Sequence, residues 1–416
     1  MLKFFQSRQR TRPDNLLLAL DIGSDSVKAM LVEVQGRRGV VLGYGKVQQS
    51  IGEMHNGSVT DIAGVIDNCQ KAISIAEKQA GGIATQMVMG VAGELVKGET
   101  ITTTYLRPDP HTKIDMAELK QIVQKQQREC YEEIRRQMAK ESGFSELEIK
   151  HVNAAITGVE IDGQKINNPI GFQGRVVKIS IFNAFAPLLH YGALQTIAQE
   201  LDIDLLAIVS EPYAVARSLG FEDGSENGIF IDVGGGTTDL AVVTNGVLNA
   251  TKMFMLGGRS FTKRLSHSLN LSFLDAESVK LAYSNDQLEK HSFNLVRESM
   301  KSDASVWLSG VELCLADCNL SVLPAKIYLC GGCAKLPEIK ESLESDTWYK
   351  SLPFNRKPKV QLLEPKQLNN IDDPSGRFCD LEQITPMALA NIGLELAGEP
   401  HIVSKLLNKV VKLMQV

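Results

Sequence analysis

Apolar and polar positions follow the same course twice along this 416-residue chain. The segment "LLLALDIGSDSVKAMLVEV" reads as strand, tight turn and strand, and "GVVLGYGKV" adds a third strand. Much later, "GIFIDVGGGTTDLAVVTNGVLNATKMFML" gives strand, glycine turn, strand, hairpin and strand, with Asn245-Gly246 as the second turn signal. After the first meander the apolar spacing Ile62, Val65, Ile66, Cys69, Ile73, Ala76 predicts an amphipathic helix capped by Thr60 or Asp61, and "MVMGVAG" returns as a strand. A repeated meander with a glycine turn in each copy predicts a duplicated α/β fold with a cleft between two halves.

The texture changes between about Leu95 and Asn183. A long charged helix, "DMAELKQIVQKQQRECYEEIRRQMAKES", precedes "AAITGVEIDGQKI", a hairpin candidate turning at Asp162-Gly163. This stretch predicts an inserted α+β unit. Alternation of strand and helix resumes with "VVKISIFNAF", a helix from Pro187 to Leu201, "LLAIVS", and a helix opened by "EPYAVARSLG".

Composition narrows what such a chain does. With 44% hydrophobic and 22% charged residues over this length, at least two domains are expected. A net charge of −5 and a pI of about 5.9 leave no basic footprint for DNA or RNA, so no nucleic-acid partner is expected. Seven scattered cysteines without a recognisable signal peptide predict a reducing compartment rather than a disulfide framework. No apolar run approaches the roughly 18 residues of a membrane span, so any membrane contact is expected to be peripheral.

The two glycine turns carry the candidate chemistry. They are Asp21-Ile-Gly-Ser-Asp-Ser-Val-Lys28 and Asp232-Val-Gly-Gly-Gly-Thr-Thr-Asp239. Glycine carries no side chain and tolerates positive φ, so successive backbone N–H groups can converge on an anion. Acidic residues at strand ends cannot hold phosphate, but they can hold the water shell of a Mg²⁺ ion that does. Each turn alone is equally a plain hairpin; the pair, at one point of a repeated pattern, points to a nucleotide. A third junction, "AKIYLCGGCAKLPEIKESL", places Gly331-Gly332 between strand and helix, where bare backbone can lie against a flat base.

These three segments resemble the phosphate 1, phosphate 2 and adenosine motifs of the actin-like ATPase superfamily. "SEPYAVARSLG" and "ITPMALANIGLEL" resemble its two connecting helices. Within it the chain resembles the FtsA family of bacterial cell-division proteins over nearly its whole length. "INNPIGFQGRVVKISI" is similar to the Asn-Pro-hydrophobic-Gly segment of that family's inserted 1C subdomain. "LGGRSFTKRLSHSLNLSFLDAESVKLAY" is similar to the stretch leading into subdomain 2B.

The resemblance implies subdomain 1A over 1–94 and 184–213, 1C over 95–183, 2A over 214–250 and 323–383, 2B over 251–322, a return to 1A over 384–399, and a tail over 400–416. It implies ATP and Mg²⁺ as cofactors, with Asp21, Asp232 and Asp239 serving the metal. Gly23, Ser24, Asp25, Ser26, Lys28, Gly234, Gly235, Gly236, Thr237 and Thr238 would face the phosphates. Gly257, Gly258, Glu277, Lys280, Gly331, Gly332 and Cys333 would flank the nucleoside. Glu211 and Asp239 are the candidate catalytic groups of an at most slow ATPase. Two places depart from the family: Ser24-Asp25 in the first turn, and Arg259-Ser260 after the double glycine. Cys330 and Cys333, with Cys314 and Cys318, could also be read as a zinc or thiol redox site, although the adenosine motif already accounts for the glycines between the first two.

In "HIVSKLLNKVVKLMQV" the apolar residues Leu406, Leu407, Val410, Val411 and Met414 recur at helical spacing, with Lys405 and Lys409 opposite. This predicts a basic amphipathic helix. It either lies in an anionic membrane surface, as the FtsA resemblance implies, or docks in a groove of the protein itself. The resemblance further implies the FtsZ C-terminal peptide, other divisome proteins and copies of the chain itself as partners, at the cytoplasmic side of the cell membrane. Alternatives on the same fold are a PilM-like type IV pilus adaptor and a small-molecule kinase.

Overall fold

The computed structural model describes residues 15–55, 57–93, 96–143, 147–220 and 227–397, together with Leu407 and Val410. The basic start of the chain lies outside these residues, as do Lys405, Leu406, Lys409, Val411 and Met414 of the tail.

The first half opens with β1 (Leu16–Ile22), β2 (Ser26–Gln35) and β3 (Arg38–Gln48), then the two-residue strands β4 (Met54–His55) and β5 (Ser58–Val59). Helix α1 (Ile62–Ala80) and β6 (Gln86–Val91) follow. All seven residues of β1, "LLLALDI", are buried, which suits a central strand covered on both faces. Helix α1 starts because the Asp61 carboxylate accepts from the N–H groups of Ala63 and Gly64, and it ends at Gly81 with φ 65°. Its face of Val65, Cys69, Ala72, Ile73 and Ala76 lies directly on β3. A Cβ at Gly43 or Gly45 would run into the carbonyls of Ala76 and Ala72, so those glycines let helix and sheet touch backbone to backbone.

The inserted stretch contributes β7 (Lys97–Leu106), α2 (Met116–Ser142), β8 (Ile149–Ile161), β9 (Gln164–Lys165) and β10 (Val176–Pro187). The Asp162-Gly163 turn joins β8 to β9 with both residues at positive φ. β7 was not anticipated; its Thr-rich sequence, "KGETITTTYL", offers little apolar alternation, and its pairing with β10 along ten residues makes it a strand. Then come α3 (Leu188–Glu200), β11 (Asp204–Ser210) and α4 (Glu211–Arg217).

The second half holds β12 (Gly228–Val233), β13 (Thr238–Thr244), β14 (Val247–Phe254), α5 (Gly258–Leu269), α6 (Phe273–Ser284) and α7 (Lys290–Ala316). It closes with β15 (Lys326–Cys330), α8 (Pro337–Glu344), β16 (Lys359–Leu362), β17 (Ile371–Asp372) and α9 (Ile384–Ala397). Cys314 lies in the last turn of α7, and Cys318 falls past its end. The Cys318 thiol donates to the Cys314 carbonyl.

The duplication is explicit in the sheets. One runs β11-β6-β1-β2-β3-β17, and the other runs β16-β15-β12-β13-β14 before continuing through β7-β10-β8-β9. In each half a three-strand antiparallel meander leads, from its first strand, into two parallel strands. One large core surrounds β1, β2, β6 and α9, and a second lies between β12, β13, β15 and the helices α5 to α8. At about 1.5–3 kcal/mol for each fully buried large apolar side chain, these cores hold the two meanders rigid behind their turns. Among the described residues no helix is long and apolar enough to cross a membrane.

Candidate functional site

The two glycine turns are built alike and face each other. In the first, the Gly23 N–H donates to the Ser26 carbonyl at 3.2 Å; in the second, the Gly234 N–H donates to the Thr237 carbonyl at 3.0 Å. The flanking registers also correspond: Asp21 stands opposite Lys28, and Asp232 opposite Asp239. A Cβ on Gly235 would strike Asp25, and one on Gly236 would come within 2.6 Å of the Ser24 hydroxyl, so the bare backbones of the turns meet across the cleft. Gly331 forms the third wall. Its φ is 88°, and a Cβ there would collide with the Asp232 carboxylate and the Val233 carbonyl, so only glycine brings β15 this close.

One cleft is lined by all three turns together with Lys28, Glu211, Gly258, Glu277 and Lys280. Its floor is strongly acidic. Burial raises the pKa of Asp239 to about 7, helped by Asp232 and Asp21 and opposed by a hydrogen bond from Thr237. Burial also raises Asp232, against a Thr385 hydrogen bond and Lys28. Glu211 is pushed well above the usual carboxylate range by burial and by Asp21, Asp239 and Asp232. Lys28 is the counter-charge. Burial works against its proton, but Asp21 at 2.8 Å more than offsets this and its pKa is raised. Four carboxylates against one buried lysine leave the floor short of positive charge.

This fold and this sequence have known relatives. Residues 229–377 match the family model described as Cell division protein FtsA. Over 275 residues the chain is 23% identical to the Cell division protein FtsA of Bacillus subtilis (strain 168), covering 64% of this chain and 58% of that protein. Over 268 residues it is 27% identical to the FtsA of Neisseria meningitidis serogroup B, covering 64% and 60%. Over these stretches the chain is similar to FtsA proteins. Its alignments thus span about three fifths of the length of these two curated proteins. Among solved structures, the PilM-PilN type IV pilus biogenesis complex shares the fold with a TM-score of 0.62 at 18% identity, over 92% of this chain and 100% of that one. The architecture is the duplicated actin-like fold.

The cleft gathers most of the residues singled out in the sequence, with two exceptions. Thr238 turns away: it is fully buried, its hydroxyl donates to the Leu256 carbonyl at 2.6 Å and accepts from the Trp307 indole at 2.9 Å. Side chains alternate along β13, so Thr237 and Asp239 take the cleft side and Thr238 cannot. Gly257 does not line the cleft either; it packs behind the second turn, where a Cβ would meet the Gly234 carbonyl. Lys280 is fully engaged, its ammonium donating to Gly258 O, Thr262 Oγ1 and Glu277 Oε2, and so ties α5 to α6.

The cysteines are unpaired. Burial pushes the thiols of Cys314 and Cys333 up to about 12 and that of Cys318 up to about 11, which disfavours the thiolates a zinc site needs. Among the described residues no three His, Cys, Asp or Glu side chains are placed to ligate a metal directly.

Sequence reasoning missed Lys46, Arg259, Lys335, Glu382 and Thr385, which also line the cleft. Only Arg259 carried a signal, as an unusual residue beside the double glycine.

The tail is corrected at two positions. Leu407 and Val410, read as lipid-facing, are each 1% exposed and lie in the core of the inserted unit with Ile122, Val123, Ile179 and Ile181. This is the packing the docked alternative expects, with α2 and its sheet leaving an apolar groove that the two side chains fill.

Proposed function

We propose that the chain binds ATP with Mg²⁺ in this cleft and acts as a nucleotide-dependent adaptor in bacterial cell division. Its subdivision into 1A, 1C, 2A and 2B and the roles of its site residues belong to the same proposal. The observation that carries it is the pair of like-built glycine turns meeting over an acidic floor in a chain similar to FtsA proteins. Backbone N–H groups of Ser24 to Ser26 and Gly235 to Thr237 take the phosphates in turns closed by Gly23 and Gly234, Gly331 and Gly332 lie against the base, and Glu277 and Lys280 flank the nucleoside. Mg²⁺ supplies the charge that offsets Asp21 and Asp239. Burial and the neighbouring Asp21, Asp239 and Asp232 raise the pKa of Glu211, which stands beside the cleft floor as the candidate group that orients water in a slow hydrolysis.

As an adaptor, the chain polymerises, takes the C-terminal peptide of FtsZ and other divisome proteins as partners, and holds them at the inner face of the cytoplasmic membrane. Attachment to anionic lipid then requires Leu407 and Val410 to leave their groove. Calorimetry of the full chain with ATP and Mg²⁺ tests the nucleotide reading, and absence of binding overturns it. The buried Leu407 and Val410 also favour a second reading, a PilM-like adaptor whose partner is a peptide of a pilus membrane protein. A pull-down with that peptide and the FtsZ peptide in parallel separates the two.

A further inference from the structure

Among the described residues five basic side chains line the cleft, and four are already committed. Lys28 pairs with Asp21 at 2.8 Å, Lys46 with Glu382 at 2.5 Å, Lys280 with Glu277 at 2.8 Å, and Lys335 with Asp380 at 2.6 Å. Arg259 differs. The carboxylate that faces it, Asp25, stands 3.7 Å from Nε, beyond hydrogen-bond reach. Among the described residues that Nε, shut off from solvent, has no acceptor, and the guanidinium donates to the Gln49 carbonyl, from Nη2 at 3.3 Å. A guanidinium has five N–H donors, and a buried cationic donor left without an acceptor is costly. The position holds an ion pair with Asp25 at 3.7 Å but no anion within hydrogen-bond reach.

Its placement says which one. The Arg259 backbone is fixed to the second turn, its N–H donating to the Gly235 carbonyl at 2.7 Å, while its side chain reaches Asp25 at the tip of the first. Gly258, one residue earlier, faces Lys280 and Cys333. The guanidinium therefore points away from the nucleoside end and toward the meeting point of the turns. A carboxylate at the tip of a phosphate turn repels phosphate unless a cation screens it, and here the two residues that depart from the family pattern face each other.

We propose that Arg259 is a terminal-phosphate sensor, its guanidinium exchanging Asp25 for the γ-phosphate of a nucleoside triphosphate lying between the two turns, so that the pair distinguishes ATP from ADP. This rests on the nucleotide reading above. Arg259 is thereby a specificity residue, and Asp25 its partner when no γ-phosphate competes.

The test is calorimetric titration of the full chain, in Mg²⁺ buffer, with ADP and with a non-hydrolysable ATP analogue. Arg259→Ala weakens the analogue on the order of tenfold or more and leaves ADP within about threefold, the size of a lost charge-assisted contact made only to the last phosphate. Arg259→Lys recovers part of the loss, and Asp25→Ser added to Arg259→Ala recovers part of it by removing the unscreened charge. Equal losses for both nucleotides, or no loss for the analogue, overturn the proposal. Gly235→Val separates the two levels: if it abolishes binding while Arg259→Ala changes nothing, the site stands and the sensor falls. If the unaltered chain binds neither nucleotide, both fall.

Discussion

Thr385 at the start of α9 donates a hydrogen bond to the Asp232 carboxylate at 2.5 Å, joining residues 153 apart in sequence. Helix α9 packs against β1 and α4, whereas Asp232 is the penultimate residue of β12, so this bond ties the halves together at the base of the cleft. Thr385→Val leaves a buried carboxylate short of a donor. The expected cost is about 1–3 kcal/mol, read as a lower urea midpoint with an unchanged slope.

Gly235→Val wedges a branched side chain against Asp25 where the turns meet. ATP binding should fall below detection by calorimetry while the far-ultraviolet circular dichroism stays that of the parent chain. Unchanged affinity would remove the second turn from the nucleotide site.

The charge on Asp239 gives a pH signature. Its pKa is about 7 in the folded chain, mainly through burial, against the model-compound value of 3.8. A raised carboxylate pKa favours the folded state while the group is protonated, so its stabilisation is present below about pH 4 and is lost as the pH climbs toward 7. Asp239→Asn does not titrate. Relative to the parent, the variant should therefore gain stability across that window by up to about 1.4 kcal/mol per pH unit, measured by urea unfolding at a series of pH values. A parallel pH dependence of the two chains would contradict this.

If Asp239 acts through Mg²⁺, Asp239→Ala weakens ATP in magnesium buffer far more than ATP in EDTA. Equal losses in the two titrations would place the carboxylate in a role unconnected with the metal.

Leu407 decides between the two fates of the tail. Because it is buried among Ile122, Val123, Ile179 and Ile181, Leu407→Ala should cost about 2–5 kcal/mol of the stability of the inserted unit. In the proposed membrane function, anionic vesicles compete for the same face, so adding them to the full chain should speed amide hydrogen exchange around Val123, and deleting residues 404–416 should abolish co-sedimentation with the vesicles. Co-sedimentation that survives the deletion, or exchange that vesicles leave unchanged, would make the tail a permanent part of the core.

The meanders, their turns and most of the helices are legible in the sequence alone. Asn245-Gly246 and Asp162-Gly163 mark tight turns through φ > 0 at both positions, and Asp61 caps α1 through donors two and three residues away. These signals act between neighbours in sequence, where side-chain size and one or two hydrogen bonds decide the backbone. The repeated Asp-x-Gly turns likewise disclosed the cleft, because each half must end its buried first strand at the same place.

What the tertiary structure alone decided lies further apart along the chain. Thr238 carries the same turn-like sequence context as Thr237, yet register against Val233 and Phe254 places it under Trp307. β7 becomes a strand because β10 pairs with it, and a two-residue contact with β14 adds the inserted unit to the second-half sheet. Arg259 meets Asp25, and Leu407 meets Val123, across more than two hundred residues, where no local pattern can signal the partner. An apolar helical face specifies only that something must cover it, and an acidic turn only that something must balance it. Which groove or which cation does so depends on the free energy of the whole packed arrangement.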